Sequence, residues 1–553
     1  MVSRSSLVTF ASVAVVTGIA AYAVYFDYKR RNNAEFRRKL KKEKKKVDKH
    51  AAQAASEKQA QAPSGVSPEE LRAALDKIRE EGQPTSPAES EKYFMAQVGL
   101  GEQFVAQGEA FYMPAALSFF RALRVYPSPV ELIMLYQQTL PEQVFKIVME
   151  MANMDVEDRV QGYYNHFPPS DMNVSVKPSA DDSKKILVAN KDFELGEVIY
   201  KELPLVADLD IDLQGKGTHC SYCLRQIEGE PTRPDTDSLD AAYCSRTCYI
   251  RSKMQSENLL FGLDPVLPEG ADNGLGALTQ EDRKKAQTEF VDYVKSKGKL
   301  MLLLVGRLIA RTIACETLKL NPAEPVADYT NHGLVEKTYS IFDHMQRLRF
   351  VEGKVTQDER KLLAAVMASA LPGVSDIVTD ERLATDVGRM SYNVIGVCPA
   401  SGREDRPVPE ERPEDQMRTR TPYGTSKQVG CGLYLVSAYM AHSCAPNAKP
   451  TFQSDTTELQ LVATQPIKKG DEITMAYVDV SQHPDETPVE ARRRRRIELA
   501  RGWRFKCECT RCVSETTEGE EHDIGVKGDE AKVEAVVRRV ESGNAGSADT
   551  GPD

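Results

Sequence analysis

Cysteine is scarce in this chain. Eleven in 553 residues are too few for a secreted disulfide scaffold. Eight of them (Cys220, Cys223, Cys244, Cys248, Cys444, Cys507, Cys509 and Cys512) fall largely in tight clusters, which in a reducing compartment read as metal ligands. Cys315, Cys398 and Cys431 stand alone and read as small buried hydrophobes. Net positive charge is also lacking, the balance being −10. The arginine run Arg492–Arg496 reads as the solvated face of a helix leading into the last cysteines, so no nucleic-acid partner is expected. The tail 514–553 has no aromatic residue and is acidic and rich in Gly and Ser. That composition excludes a packed core, and disorder is expected there apart from a candidate helix near Ala531–Val540. No low-complexity linker divides the chain, although its two ends differ in character.

Leu7–Phe26 is a run of 20 residues without a charge. As a helix it spans about 30 Å, the thickness of a bilayer core. A cleavable signal peptide is the competing reading. The run is longer than a typical signal core, however, and its flanking charge lies mainly downstream. Between Lys29 and His50 twelve basic residues face three acidic ones, so the positive-inside rule places the bulk of the chain in the cytosol. Phe36–Ala62 lacks apolar periodicity and reads either as a tether near anionic headgroups or as a plain charged spacer.

Ser67-Pro68-Glu69-Glu70 has the pattern of a helix start, with Ser67 as N-cap, Pro68 at the first helical position and Glu70 as its capping-box partner. Leu71, Leu75 and Ile78 share one face. Two helical stretches follow, Glu91–Gln107 and Phe111–Arg124, broken at Gly108. Leu100, Gly101 and Phe104, then Ala115, Phe119, Ala122 and Pro127, follow the tetratricopeptide pattern with a longer turn. One repeat cannot bury its own face, and Pro129–Gln138 and Pro141–Met151 can supply partner helices. From Ala51 to Val160 nine basic residues stand against sixteen acidic ones.

Residues 1–170 resemble the Tom presequence receptors of the mitochondrial outer membrane. The resemblance is carried by Gly101-Glu102, Ala106-Gln107-Gly108-Glu109, Pro127, Gln137-Gln138-Thr139-Leu140-Pro141 and Val144-Phe145. It implies binding of presequences, which are basic amphipathic helices, in a shallow apolar groove. By position that groove would be lined by Phe94, Met95, Val98, Leu132, Leu135 and Val144, with Gln137 or Gln138 at its rim. Phe104, Leu117 and Phe119 are expected in the core. Gly99 departs from the family, where Gln is usual. Partners implied are presequence peptides, translocase subunits and the membrane itself.

Cys220-x-x-Cys223 and Cys244-x-x-x-Cys248 have the spacing of a closed four-thiolate zinc site. Ile186–Ala189 and Gly196–Ile199 read as two short strands around a turn. Ala286–Lys297 and Leu300–Leu318 read as helices. Together with Ser391-Tyr392-Asn393, Gly432–Asn447, Gly470–Tyr477 and Cys507-x-Cys509-x-x-Cys512, these features resemble a SET–MYND-type lysine methyltransferase. The finger matches half of a MYND finger, so one zinc is expected in it, with His219 as a flanking residue. The resemblance implies that Asn393, His442 and the backbone of Tyr439–His442 contact S-adenosylmethionine. It also puts Tyr477 at the methyl-transfer channel and Trp503 and Phe505 across it. Cys444 would join Cys507, Cys509 and Cys512 around a second zinc. Two positions depart from the family: Lys184-Lys185-Ile186 replaces a Gly-x-Gly, and Ala441 replaces an Asn. Weak or no cofactor binding is therefore expected.

The expected architecture is multidomain. A transmembrane anchor (1–28) and a basic tether (29–66) precede an all-α, tetratricopeptide-like receptor domain (67–165). A β-rich SET domain (175–513) follows, with a zinc finger (218–250), a helical insert (277–372) and a post-SET zinc site (503–513). The expected function is a mitochondrial outer-membrane presequence receptor fused to a SET domain. The alternative is a membrane-tethered enzyme that methylates a protein lysine. A third alternative is that the junction near 160–185 joins two separate proteins.

Overall fold

The structure is a computed structural model. It describes residues 67–81, 84, 87–126, 129–179, 184–235, 237–264, 279–320, 339–371, 374, 378–399, 402–408, 418–422 and 427–515. The expected anchor, the tether, Pro127 and the tail with its candidate helix lie outside these residues. Among the described residues no helix is long and apolar enough to cross a membrane. The chain forms two compact units, the first containing the described residues up to Tyr163.

The first unit is helical. Helix α1, Pro68–Glu80, begins as the capping pattern requires: the Glu70 N–H donates to the Ser67 hydroxyl, and the Glu70 carboxylate accepts from the Ser67 N–H. Its buried residues are Leu71, Leu75 and Ile78. Helices α2, Pro87–Ala106, and α3, Tyr112–Val125, are separated by Gly108 at φ 99° and a 3₁₀ turn over Glu109–Phe111. That left-handed backbone favours glycine. The pair packs so closely that a Cβ on Gly101 would lie 2.8 Å from the Phe119 ring. Helix α4 spans Pro129–Thr139.

Helix α5, Glu142–His166, outruns the Pro141–Met151 expected from its apolar pattern. Ionic contacts support the extension. Arg79 of α1 donates from Nε to Asp155 at 3.0 Å and from Nη1 to Asp158 at 3.2 Å. Arg121 of α3 forks onto the Glu81 carboxylate at 2.6 and 2.7 Å. Leu75, Phe119, Tyr136, Val148 and Met151 meet in the core between the helices.

The second unit holds the strands. β1 (Val174–Pro178) pairs antiparallel with β2 (Lys185–Ala189). β3 (Val198–Glu202) joins β9 (Leu459–Ala463), which pairs in turn with β8 (Ala448–Thr451). β4 (Val206–Leu209), β6 (Gly430–Leu433) and β5 (Ile395–Val397) form a third sheet in that order. β7 (Ala441–His442) and β10 (Thr474–Met475) pair in parallel. The two strands expected around a turn near Gly196 do form, but they do not pair with each other. β2 pairs with β1 just upstream, β3 pairs with the distant β9, and Phe193 between them exchanges backbone hydrogen bonds with Ile467. Strand pairing of this range leaves no local signal.

Among the helices of this unit are α6 (Arg246–Ser252), α7 (Gln280–Ser296), α8 (Leu300–Leu320), α9 (Ile341–Arg347), α10 (Gln357–Ala370), α11 (Asp380–Asn393), α12 (Pro488–Trp503) and α13 (Thr510–Ser514). The arginine run lies on α12 as expected, yet it is not a solvated face. Arg492, Arg495 and Arg496 are buried. Arg492 Nε donates to the Cys512 carbonyl at 2.7 Å, and Arg495 pairs with Glu515. Their charges are directed at the C-terminal cysteine segment.

Candidate functional site

The residues expected at the presequence groove divide into three groups. Leu132 and Val144 are 3% and 0% exposed and belong to the core, as does Phe119. Phe94 and Val98 are half-buried against that core, with Phe94 5.0 Å from the Tyr126 ring. Met95 and Leu135 are 64% and 53% exposed. Gln137 and Gln138 are exposed on α4, and Glu91 and Glu102 on α2. Inward-facing positions at helical spacing explain the core pair: Leu132 and Tyr136 lie one turn apart on α4 and are both buried. Of the expected groove positions, those open to a ligand are therefore Met95 and Leu135, with Phe94 and Val98 partly accessible.

The cysteines come together as two groups of four: Cys220, Cys223, Cys244 and Cys248, then Cys444, Cys507, Cys509 and Cys512. Within the first, Cys223 and Cys244 are 3.6 Å apart, as are Cys244 and Cys248. Within the second, Cys444 lies 3.9 Å from Cys507 and 3.5 Å from Cys512. A disulfide requires about 2.05 Å. A tetrahedron of thiolates around zinc at about 2.3 Å has edges of about 3.8 Å, and both groups fit it. His219 stands outside the first group and contacts Thr218.

The remaining predicted site residues converge on Tyr477. Its backbone N–H donates to His442 Nδ1 at 3.0 Å, while His442 Nε2 lies 3.3 Å from Cys444 Sγ. With Nδ1 accepting, the ring proton sits on Nε2 and faces the sulfur. Burial lowers the His442 pKa to about 4, so the ring is neutral and orients a candidate metal ligand. The Tyr477 hydroxyl donates to the Met440 carbonyl at 2.5 Å. Burial raises its pKa to about 12, against the opposing pull of Arg420. Trp503 and Phe505 flank the Tyr477 ring at 5.4 and 6.3 Å.

No sequence motif marks Arg420. This residue is fully buried and its guanidinium carbon stands 4.2 Å from the centre of the Tyr477 ring. Nε donates to the Tyr392 carbonyl at 2.8 Å, Nη1 to the Ala438 carbonyl at 3.0 Å, and Nη2 to Asn393 Oδ1 at 3.0 Å. Asn393 is fully engaged, since its Nδ2 donates to the carbonyls of Arg349 and Arg389. Arg420 comes from the stretch between β5 and β6, which has no periodicity to flag it.

Comparison with known proteins matches each half to a family. The MAS20 protein import receptor family matches residues 9–165, and the SET domain family matches 184–478. Mitochondrial import receptor subunit tom20 of Neurospora crassa is 41% identical over 148 residues, covering 27% of this chain and 78% of the relative. The chain belongs to both families. Its MAS20 part is also 36% identical over 147 residues to the yeast TOM20 subunit, covering 25% of this chain and 76% of that protein. Its SET part is 23% identical over 346 residues to a SET and MYND domain-containing protein of Dictyostelium discoideum, covering 61% of this chain and 83% of the relative. A MAS20 receptor and a SET domain are thus fused in one sequence, and the MAS20 match takes in most of the expected anchor.

Proposed function

We propose that the chain is a presequence receptor of the mitochondrial outer membrane, anchored by Leu7–Phe26 with its bulk in the cytosol. The observation that carries this is the pairing of a MAS20 sequence with exposed apolar residues, Met95 and Leu135, in a segment of acidic balance. A basic amphipathic helix would lay its apolar face on these residues and on Phe94 and Val98, while acidic side chains such as Glu91 and Glu102 attract its charge. Translocase subunits are the expected neighbours. Titrating a fluorescent presequence peptide into the full chain tests the proposal. Met95→Ser with Leu135→Ser should weaken binding at least tenfold without changing the melting temperature. Binding that ignores both substitutions would remove the groove from the account.

The two cysteine groups are inferred to hold one structural zinc each. The second pins α13 beside Tyr477, with His442 supporting Cys444. The alternative function, transfer of a methyl group from S-adenosylmethionine to a protein lysine, follows from the SET family. We read the residues around Tyr477 as a weak match to that cofactor. Acceptors expected to serve its sulfonium and ammonium, Asn393 Oδ1 and the Ala438 carbonyl, already accept from the Arg420 guanidinium. A second cation there would be repelled in a buried setting. The SET part is therefore read as a folded scaffold.

A further inference from the structure

We propose that the cavity left beside Ala438 binds a phosphate-bearing anion in place of a sulfonium cofactor. The cavity measures about 260 Å³ and is lined by Lys184, Lys185, Arg347, Arg349 and Tyr439, together with Leu348 and Ala438. Four of these side chains are cationic, and among the described residues no carboxylate lines the cavity. Like charges gathered in one small concavity repel one another, and a multiply charged anion relieves that repulsion. Arg349 adds a specific donor. Its Nη2 is shielded from solvent and makes no hydrogen bond, while Nη1 reaches the Tyr392 hydroxyl at 3.4 Å. A buried guanidinium nitrogen without a partner is costly, and a phosphate oxygen is its natural acceptor.

Arg420 adjoins the same region. It donates to the Ala438 carbonyl, and Ala438 also lines the cavity. A ligand in the cavity therefore meets four cationic side chains on its wall, with Arg420 hydrogen-bonded to a fifth lining residue. The volume suits a diphosphate or a phosphate monoester, with any larger body left outside. Lys184-Lys185, where the family has Gly-x-Gly, removes the close backbone approach and supplies charge instead. This inference is independent of presequence binding.

The test is calorimetric titration of the full chain in detergent with inorganic pyrophosphate and, separately, with S-adenosylmethionine. Pyrophosphate should bind once per chain and weaken at least tenfold between low and high salt. Lys184→Glu with Lys185→Glu, both exposed positions, should weaken it at least tenfold more. Arg349→Gln should also weaken it, whereas Arg493→Glu on exposed α12 surface should not. Adenosine diphosphate and inositol bisphosphate distinguish a nucleotide from a lipid headgroup as the source, and tighter binding of either supports the phosphate class. S-adenosylmethionine should give no binding to the natural chain. Absence of pyrophosphate binding, pyrophosphate binding indifferent to the lysine pair, or S-adenosylmethionine binding to the unmodified chain would each overturn the proposal.

Discussion

Gly99 and Gly101 lie two positions apart on α2 and face opposite circumstances. A Cβ at Gly99 meets nothing within 4 Å, whereas one at Gly101 enters the Phe119 ring. Replacing glycine by alanine inside a helix gains about 1 kcal/mol of propensity. Overpacking a close contact costs about 1–3 kcal/mol. Gly99→Ala should therefore raise the thermal midpoint, and Gly101→Ala should lower it, as followed by circular dichroism. Equal effects of the two would contradict the close packing of α2 on α3.

Glu202 provides a pH-dependent case. Burial raises its pKa to about 7, outweighing hydrogen bonds from Ser437 and Val436. A folded pKa above the unfolded value means that the native state binds the proton more tightly. The contribution is complete below the unfolded pKa near 4.5 and is lost as pH rises through about 7. The melting temperature of the SET unit should fall between pH 5 and pH 8, and Glu202→Gln should flatten that slope. An unchanged slope in the variant would assign the dependence elsewhere. Titration of this kind was illegible in the sequence: Glu202 follows the β3 strand pattern, Arg420 belongs to no motif, and burial makes each consequential. Cysteine spacing, in contrast, foretold the first group of four, whereas Cys444, 63 residues from Cys507, joined the second only through the family resemblance.

Among the elements, local signals performed best where a single helix decides the outcome. The capping box of α1 and the break at Gly108 were readable because both depend on a few adjacent residues. The partner of β3 was not, since β9 lies more than two hundred residues downstream. The length of α5 was missed because its second half is polar and is supported by Asp155 and Asp158 pairing with Arg79. The arginines of α12 misled for a related reason: a charge run looks solvated until the acceptors folded over it, the Cys512 carbonyl and Glu515, are known. The cysteine geometry makes a direct prediction for the loops it ties. Metal analysis should find two zinc ions per chain, and Cys509→Ser should leave one while exposing α13 to protease. A count of three or more would require further ligands that the described residues do not supply.

For the whole molecule, the proposed anchor at Leu7–Phe26 would hold the receptor segment and the SET domain on the cytosolic face of one membrane. Protease added to intact mitochondria should remove the bulk of the chain beyond the basic tether, and full protection would contradict the cytosolic orientation. The functional claim is tested most directly by photo-crosslinking. A presequence peptide carrying a crosslinker on its apolar face is bound to the full chain, and the adducts are mapped by mass spectrometry. The account predicts adducts on α2 and α4, centred on Met95 and Leu135, that disappear when the crosslinker is moved to the basic face. Adducts confined to residues beyond 184, or none at saturating peptide, would contradict it.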